Sequence, residues 1–232
     1  EGTENRRETK QYHGIINPAI FPFDSLRHFD ASCEISIPSF SVSSAMNADK
    51  VLLHTRRWIE SVVIGHQVCP FAGSVFRDHR IRYRVSVTKR PEDLWQEWLA
   101  ELVYLQEANR VETETTLIIH PQVLTDFEAY CDFVAEAEEG LEELDFASDI
   151  QLAGFHPAYQ FEGSPEDDPA NYTNRSPYPM LHLLRVESVS EAVDSYPGVD
   201  DIPDRNITRF RALGKEQAHA LWQAAFGTDF TV

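Results

Sequence analysis

From Asn47 to Ala225, short apolar runs of strand length alternate with longer segments whose apolar residues recur every three or four positions. Nothing else in the chain narrows the fold as much, because a strand face and a helix stripe must each be buried against another element. Val51, Thr55, Trp58, Ile59, Val62 and Val63 share one helical face, and Gly65 stands where that helix can end. Ile81, Tyr83 and Val85 then alternate with Arg82 and Arg84, the pattern of a half-buried strand. Pro91 opens a second helix with Leu94, Trp95, Trp98, Leu99 and Leu102 inward. The run TTLIIHP predicts a buried strand, and Thr125 with Glu128 has capping-box spacing for a third helix.

Two further strands are expected at Ile150–Phe155 and Leu181–Glu187, joined by a long connection. Ser188 and Glu191 again have capping-box spacing for the helix after them, and two more helices follow, over Pro203–Leu213 and Lys215–Ala225. This order predicts an α+β fold, a single small sheet of about four strands covered by helices, with the character of a ferredoxin-like sandwich. A small doubly wound α/β sheet is the alternative, since periodicity leaves strand order and direction open.

The 232 residues suit one domain over residues 46–232 plus an extension over residues 1–45, which carries apolar patches but no sustained period. That extension is expected to lie on the domain or on a partner subunit. The chain begins at Glu1 rather than Met, which fits a removed targeting segment and an organellar location, the mitochondrial matrix, with the cytoplasm as alternative. A formal net charge of −18 repels phosphate backbones, so nucleic acid is not an expected partner, although a local basic pocket is compatible with it. No run reaches the roughly 18 apolar residues of a membrane span. Cys33, Cys69 and Cys131 are distant and odd in number, which fits a reducing compartment.

The connection GFHPAYQFEGSPEDDPANYTNRSPYPMLHLLR, residues 154–185, is the first candidate site. Its length points to function, and its prolines and aromatics to order. Asn174, Arg175 and Ser176 set an amide, a planar cation and a hydroxyl side by side, with Tyr159, His182 and Arg185 nearby. Arginine's fork matches carboxylate or phosphate oxygens, so these residues are candidates for binding a small anionic ligand. The competing structural role is an ion pair of Arg175 with Asp167 or Asp168 that pins the loop.

Cys69, His120 and His156 each precede a proline at the end of an element. They are the catalytic candidates, Cys69 as nucleophile or ligand and a histidine as general acid or base. Neutral imidazoles and a thiolate are good zinc or iron ligands, with His182 as a fourth, but no pair of them has a short ligand spacing, so neither a metal nor a cofactor is assigned. The plain alternative is that the histidines hydrogen-bond backbone and brace their turns.

TRRWIE followed by CPFA, the strand ending in HP, GFHPAYQF and NRSPYPMLHLLR, in this order, resemble domain of unknown function 1415 over about residues 55–213. The resemblance implies a single family domain, with no activity or cofactor attached. Its motif positions here include Cys69, His120, Phe155, His156, Tyr159, Asn174, Arg175, Ser176, His182 and Arg185. The expected function is an accessory subunit of a larger assembly, a respiratory or ATP synthase complex. The alternative is an enzyme or small-anion-binding protein using a Cys/His/Arg pocket.

Overall fold

The computed structural model describes residues 47–227. The extension over residues 1–45, its expected contact with a partner, and Cys33 lie outside the described residues. In chain order the elements are α1 (Ala48–Trp58), continued by a π-helical turn (Ile59–Ile64), α2 (Ala72–Arg77), β1 (Ile81–Val85), α3 (Pro91–Glu107), β2 (Thr115–Ile119), α4 (Phe127–Glu143) and β3 (Ile150–Phe155). A 3-10 turn (Pro169–Thr173), β4 (Met180–Arg185), α5 (Val186–Ser195), a second 3-10 turn (Val199–Asp201), α6 (Ile202–Leu213) and α7 (Lys215–Ala224) complete them.

The α+β fold with one four-stranded sheet is what the chain adopts, in the order β1-β2-β4-β3. β1 and β2 pair in parallel, while β4 runs antiparallel between β2 and β3. Helices cover both faces. On one, α3 and α4 bury Leu94, Trp98, Leu102, Phe133 and Leu141 against Ile118, Leu152, Leu181 and Leu183. Each such side chain removed from water contributes about 2 kcal/mol. On the other, Val51, Trp58, Ile59 and Phe210 meet Leu117, Ile119 and Met180. Near α5, Val189 and Ile202 meet Ala153 and Leu184.

Local chemistry explains the boundaries. Asn47 caps α1, its side chain accepting from the Asp49 N–H at 2.9 Å. The helix continues from α1 through the π-turn and ends at Gly65 as expected, Gly65 being its C-cap, where a Cβ would sit 2.4 Å from the Ser61 carbonyl oxygen. α4 is capped one residue later than the Thr125–Glu128 spacing predicts, by Asp126, which accepts from Ala129 N–H at 2.9 Å. β4 ends at Arg185 and α5 starts at Val186, so Ser188 lies inside the first turn rather than at its cap, and Glu191 pairs with Arg110. Arg82 and Arg84, which alternate with the apolar residues of β1, meet an acidic stripe on α3: Arg82 pairs with Glu101 at 2.6 Å and Arg84 with Glu97 at 3.3 Å.

The connection from β3 to β4 is ordered by buried Asn171. Its side chain donates to the Pro165 and Glu166 carbonyls at 3.0 and 3.1 Å and accepts from the Phe161 N–H at 3.1 Å. Among the described residues, no helix is long and apolar enough to cross a membrane.

Candidate functional site

The helices do not fill the second face of the sheet. Between the π-turn, the Cys69 turn, α5 and α6 lies a cavity of about 460 Å³ whose floor is Thr115, Leu117, Phe155, His182 and Leu184. The floor follows from the strand period. Leu117 faces His182 and Thr115 faces Leu184 across β2 and β4, so all four side chains emerge on this face, while Leu183 points to the opposite core. Trp58, Ile59, Val63, Val68 and Val189 make the walls apolar. The turn carrying Cys69 is held over the cavity from α6, where Asn206 donates to the Val68 carbonyl at 2.7 Å and Arg209 donates to that of His66.

Polar groups gather at one end. Arg80, Arg110 and Arg185 line it with Glu114 and Glu191, three cations to two anions in a chain of net charge −18. Arg80 pairs with Glu114 at 2.6 Å, and Arg110 pairs with Glu191 and, at 3.5 Å, with Glu114. Arg185 differs. Its Nη2 donates to the Ala108 and Thr113 carbonyls at 2.8 and 3.2 Å, its Nε–H is buried without a partner, and no carboxylate is paired with it among the described residues. Three residues on, the Ser188 hydroxyl is also buried without a partner, and the first turn of α5 has no side-chain cap.

His182 Nε2 lies 2.6 Å from the Thr115 hydroxyl. That hydroxyl spends its hydrogen on the Leu183 carbonyl at 2.5 Å, so it accepts from the ring. Nε2 therefore carries the proton, and Nδ1 is a lone-pair acceptor, buried with no partner among the described residues. Burial lowers the His182 pKa to about 4, which keeps the ring neutral at physiological pH. Burial raises the Cys69 thiol, and the Phe71 and Ala72 backbone N–H groups pull it part of the way back.

Of the residues singled out from sequence, Cys69, Asn174, His182 and Arg185 border this cavity. His120 and His156 do not. Both pack on Tyr130 of α4, at ring distances of 5.9 and 5.0 Å. His120 Nδ1 donates to the Val123 carbonyl at 3.0 Å. His156 Nε2 donates to that of Leu124 at 3.2 Å, while its Nδ1 accepts from the Ala158 N–H at 3.1 Å. Burial lowers both pKa values to about 4, and for His156 the neighbouring His120 adds to the shift. This is the turn-bracing role, and it holds the two rings apart from Cys69.

The remaining loop residues are committed to the loop. Arg175 donates to the Tyr159 and Glu166 carbonyls, each at 2.9 Å, and lies over the Tyr172 ring. Asp168 pairs with Arg211 at 2.7 Å and Asp167 with Lys215 at 3.4 Å, so neither is the partner expected for Arg175. Ser176 donates to the Tyr178 carbonyl at 2.6 Å, and Tyr159 is buried among Phe161 and Ala170. Among the described residues no group of three or more His, Cys, Asp or Glu side chains is placed to hold a metal ion.

Arg110, Glu114 and Ser188 also line the cavity, and the sequence carries no signal of it: Arg110 sits in a short polar loop with no motif around it, and Ser188 has the spacing of a capping box.

Comparison with curated proteins and with solved structures gives no match. Residues 50–220 match the family described as Protein of unknown function (DUF1415), and the chain belongs to that family.

Proposed function

We propose that the domain binds a small organic acid in the cavity between the sheet and α5, with the carboxylate at Arg185 and Ser188 and the apolar body along Trp58, Leu117 and Phe155. One observation carries this: Arg185 borders a mostly apolar cavity with a buried, unpartnered Nε–H and no acidic partner among the described residues. A guanidinium in such a place is strongly favoured by an incoming carboxylate, because a charge-assisted hydrogen bond is worth roughly twice a neutral one. The Ser188 hydroxyl supplies a second donor, and the uncapped first turn of α5 adds the positive end of its dipole.

This reading keeps Arg185 from the predicted anion clamp and replaces Arg175 with Ser188. Binding is favoured over nucleophilic catalysis because the thiol of Cys69 is shifted toward its protonated form and the two histidines proposed as its base are bonded elsewhere. The accessory-subunit role rests on residues 1–45, so the described residues add no support for it.

Trp58 in the wall gives the readout. Titrating phenylacetate, 3-phenylpropanoate and 4-phenylbutanoate into the protein should change tryptophan fluorescence saturably for at least one of them. Ser188→Leu, which fills the polar end, should weaken that binding by tenfold or more while the circular dichroism spectrum stays unchanged. Equal affinity in the folded variant would place the ligand elsewhere and overturn the reading.

A further inference from the structure

Resting on that reading, we infer that the acid carries a hydrogen-bond donor, a hydroxyl or N–H, on its body at a distance set by His182. The geometry leaves the cavity lining with polar demands of opposite kind, donors at Arg185, Ser188 and the Trp58 indole and an acceptor at His182. At the Arg185 end, Nε–H and the Ser188 hydroxyl need an acceptor, which the carboxylate supplies. At the floor, the Nδ1 of His182 is an acceptor without a donor. Its proton position is held by the Thr115 hydroxyl, whose single hydrogen goes to the Leu183 carbonyl, so the ring answers only to a donor unless Thr115 is disturbed.

A purely apolar acid would cover Nδ1 and leave a buried acceptor unmet, which is the costly half of the hydrogen-bond balance. His182 and Arg185 are three residues apart on β4, so their side chains leave the strand on opposite faces: His182 rises from the cavity floor, and Arg185 borders the same cavity at the end of the sheet, where its Nη2 is held by the Ala108 and Thr113 carbonyls. An acid that runs from that end onto the floor carries its carboxylate and its donor at opposite ends of its body. The ring stays neutral because it is buried, so the second contact selects a neutral donor rather than a second anion.

The test uses three probes on one scaffold, 3-phenylpropanoate, 3-(4-hydroxyphenyl)propanoate and 3-(4-methoxyphenyl)propanoate, with the acetate and butanoate homologues of each. Calorimetric affinities should favour one hydroxyl compound over its unsubstituted and methoxy partners by about tenfold, the worth of a neutral hydrogen bond that satisfies a buried group. In the wild-type protein, the 15N resonance of His182 Nδ1 should move with the hydroxyl compound and hold still with the other two. In His182→Phe, which keeps a planar ring and removes the acceptor, the ratio of hydroxyl to unsubstituted affinity should fall to about one. If the acids bind but hydroxyl and unsubstituted compounds do so equally, with Nδ1 unmoved, the inference fails and the acid site stands. If no acid binds at all, the proposed function fails and the inference with it.

Discussion

Leu183 and Leu184 are consecutive residues of one strand, and the surroundings they enter are unlike. Leu183 points into the face packed by α3 and α4, where Trp98, Leu102 and Phe133 complete a core. Leu184 points the other way, into the floor of the cavity. The same contrast separates the histidines. His120 and His156 each donate to a carbonyl of the 123–124 turn beside Tyr130, whereas His182 borders the cavity; one acceptor nitrogen is left without a partner among the described residues in each place, Nε2 of His120 and Nδ1 of His182. One side of the sheet is thus filled, and the other gives up packing for room. A chain of marginal stability keeps such a defect at a cost, so the defect is where a ligand is to be sought.

The comparison can be broken most sharply at that strand. Leu183→Ala should lower unfolding free energy in urea by about 3 to 5 kcal/mol, since it adds a void to a filled core. Leu184→Ala should cost about 1 to 2 kcal/mol, because the transfer loss is similar but the neighbouring space is already empty. Equal costs would mean that the cavity face is as closely packed as its opposite.

Acid comes next. The three buried histidines have native pKa values lowered to about 4 against 6.5 unexposed to the fold. Their contribution to stability is therefore fully present above pH 6.5 and is lost as pH falls toward 4, by on the order of 3 kcal/mol for each ring. His182→Gln should remove roughly one proton from that dependence. A His182 that titrates near 6.5 by NMR, beside His120 and His156 that do not, would show the cavity to be wet.

The smallest effect sharpens the contrast from the other direction. Ser188→Leu removes a buried hydroxyl without a partner and fills space, so stability should stay level or rise by up to about 1 kcal/mol even as acid binding falls. A loss of more than about 1 kcal/mol would mean that the polar end of the cavity is closely packed.

Much of the fold was legible because period follows burial. The face of α1, the alternation of β1 and the buried run of β2 all report which side meets the core. What stayed hidden depends on contacts distant in sequence. The insertion of β4 between β2 and β3 leaves no trace in either strand's own pattern. The site was half legible for the same reason. Arg185 and His182 stand out as polar residues in an apolar strand, and Cys69 as a thiol at a turn. The choice between Arg175 and Ser188 turns on which of them is already bonded, and Arg175 is taken by carbonyls that its own loop folds back to offer.

The central claim is that the open face of the sheet takes a carboxylate at Arg185. Its most direct measurement is calorimetric titration of 3-phenylpropanoate and its homologues against the corresponding primary amides, which keep the shape and drop the charge. An acid that binds at least tenfold more tightly than its amide, with the margin shrinking as salt is raised, is the expected result. Acid and amide of equal affinity would contradict it.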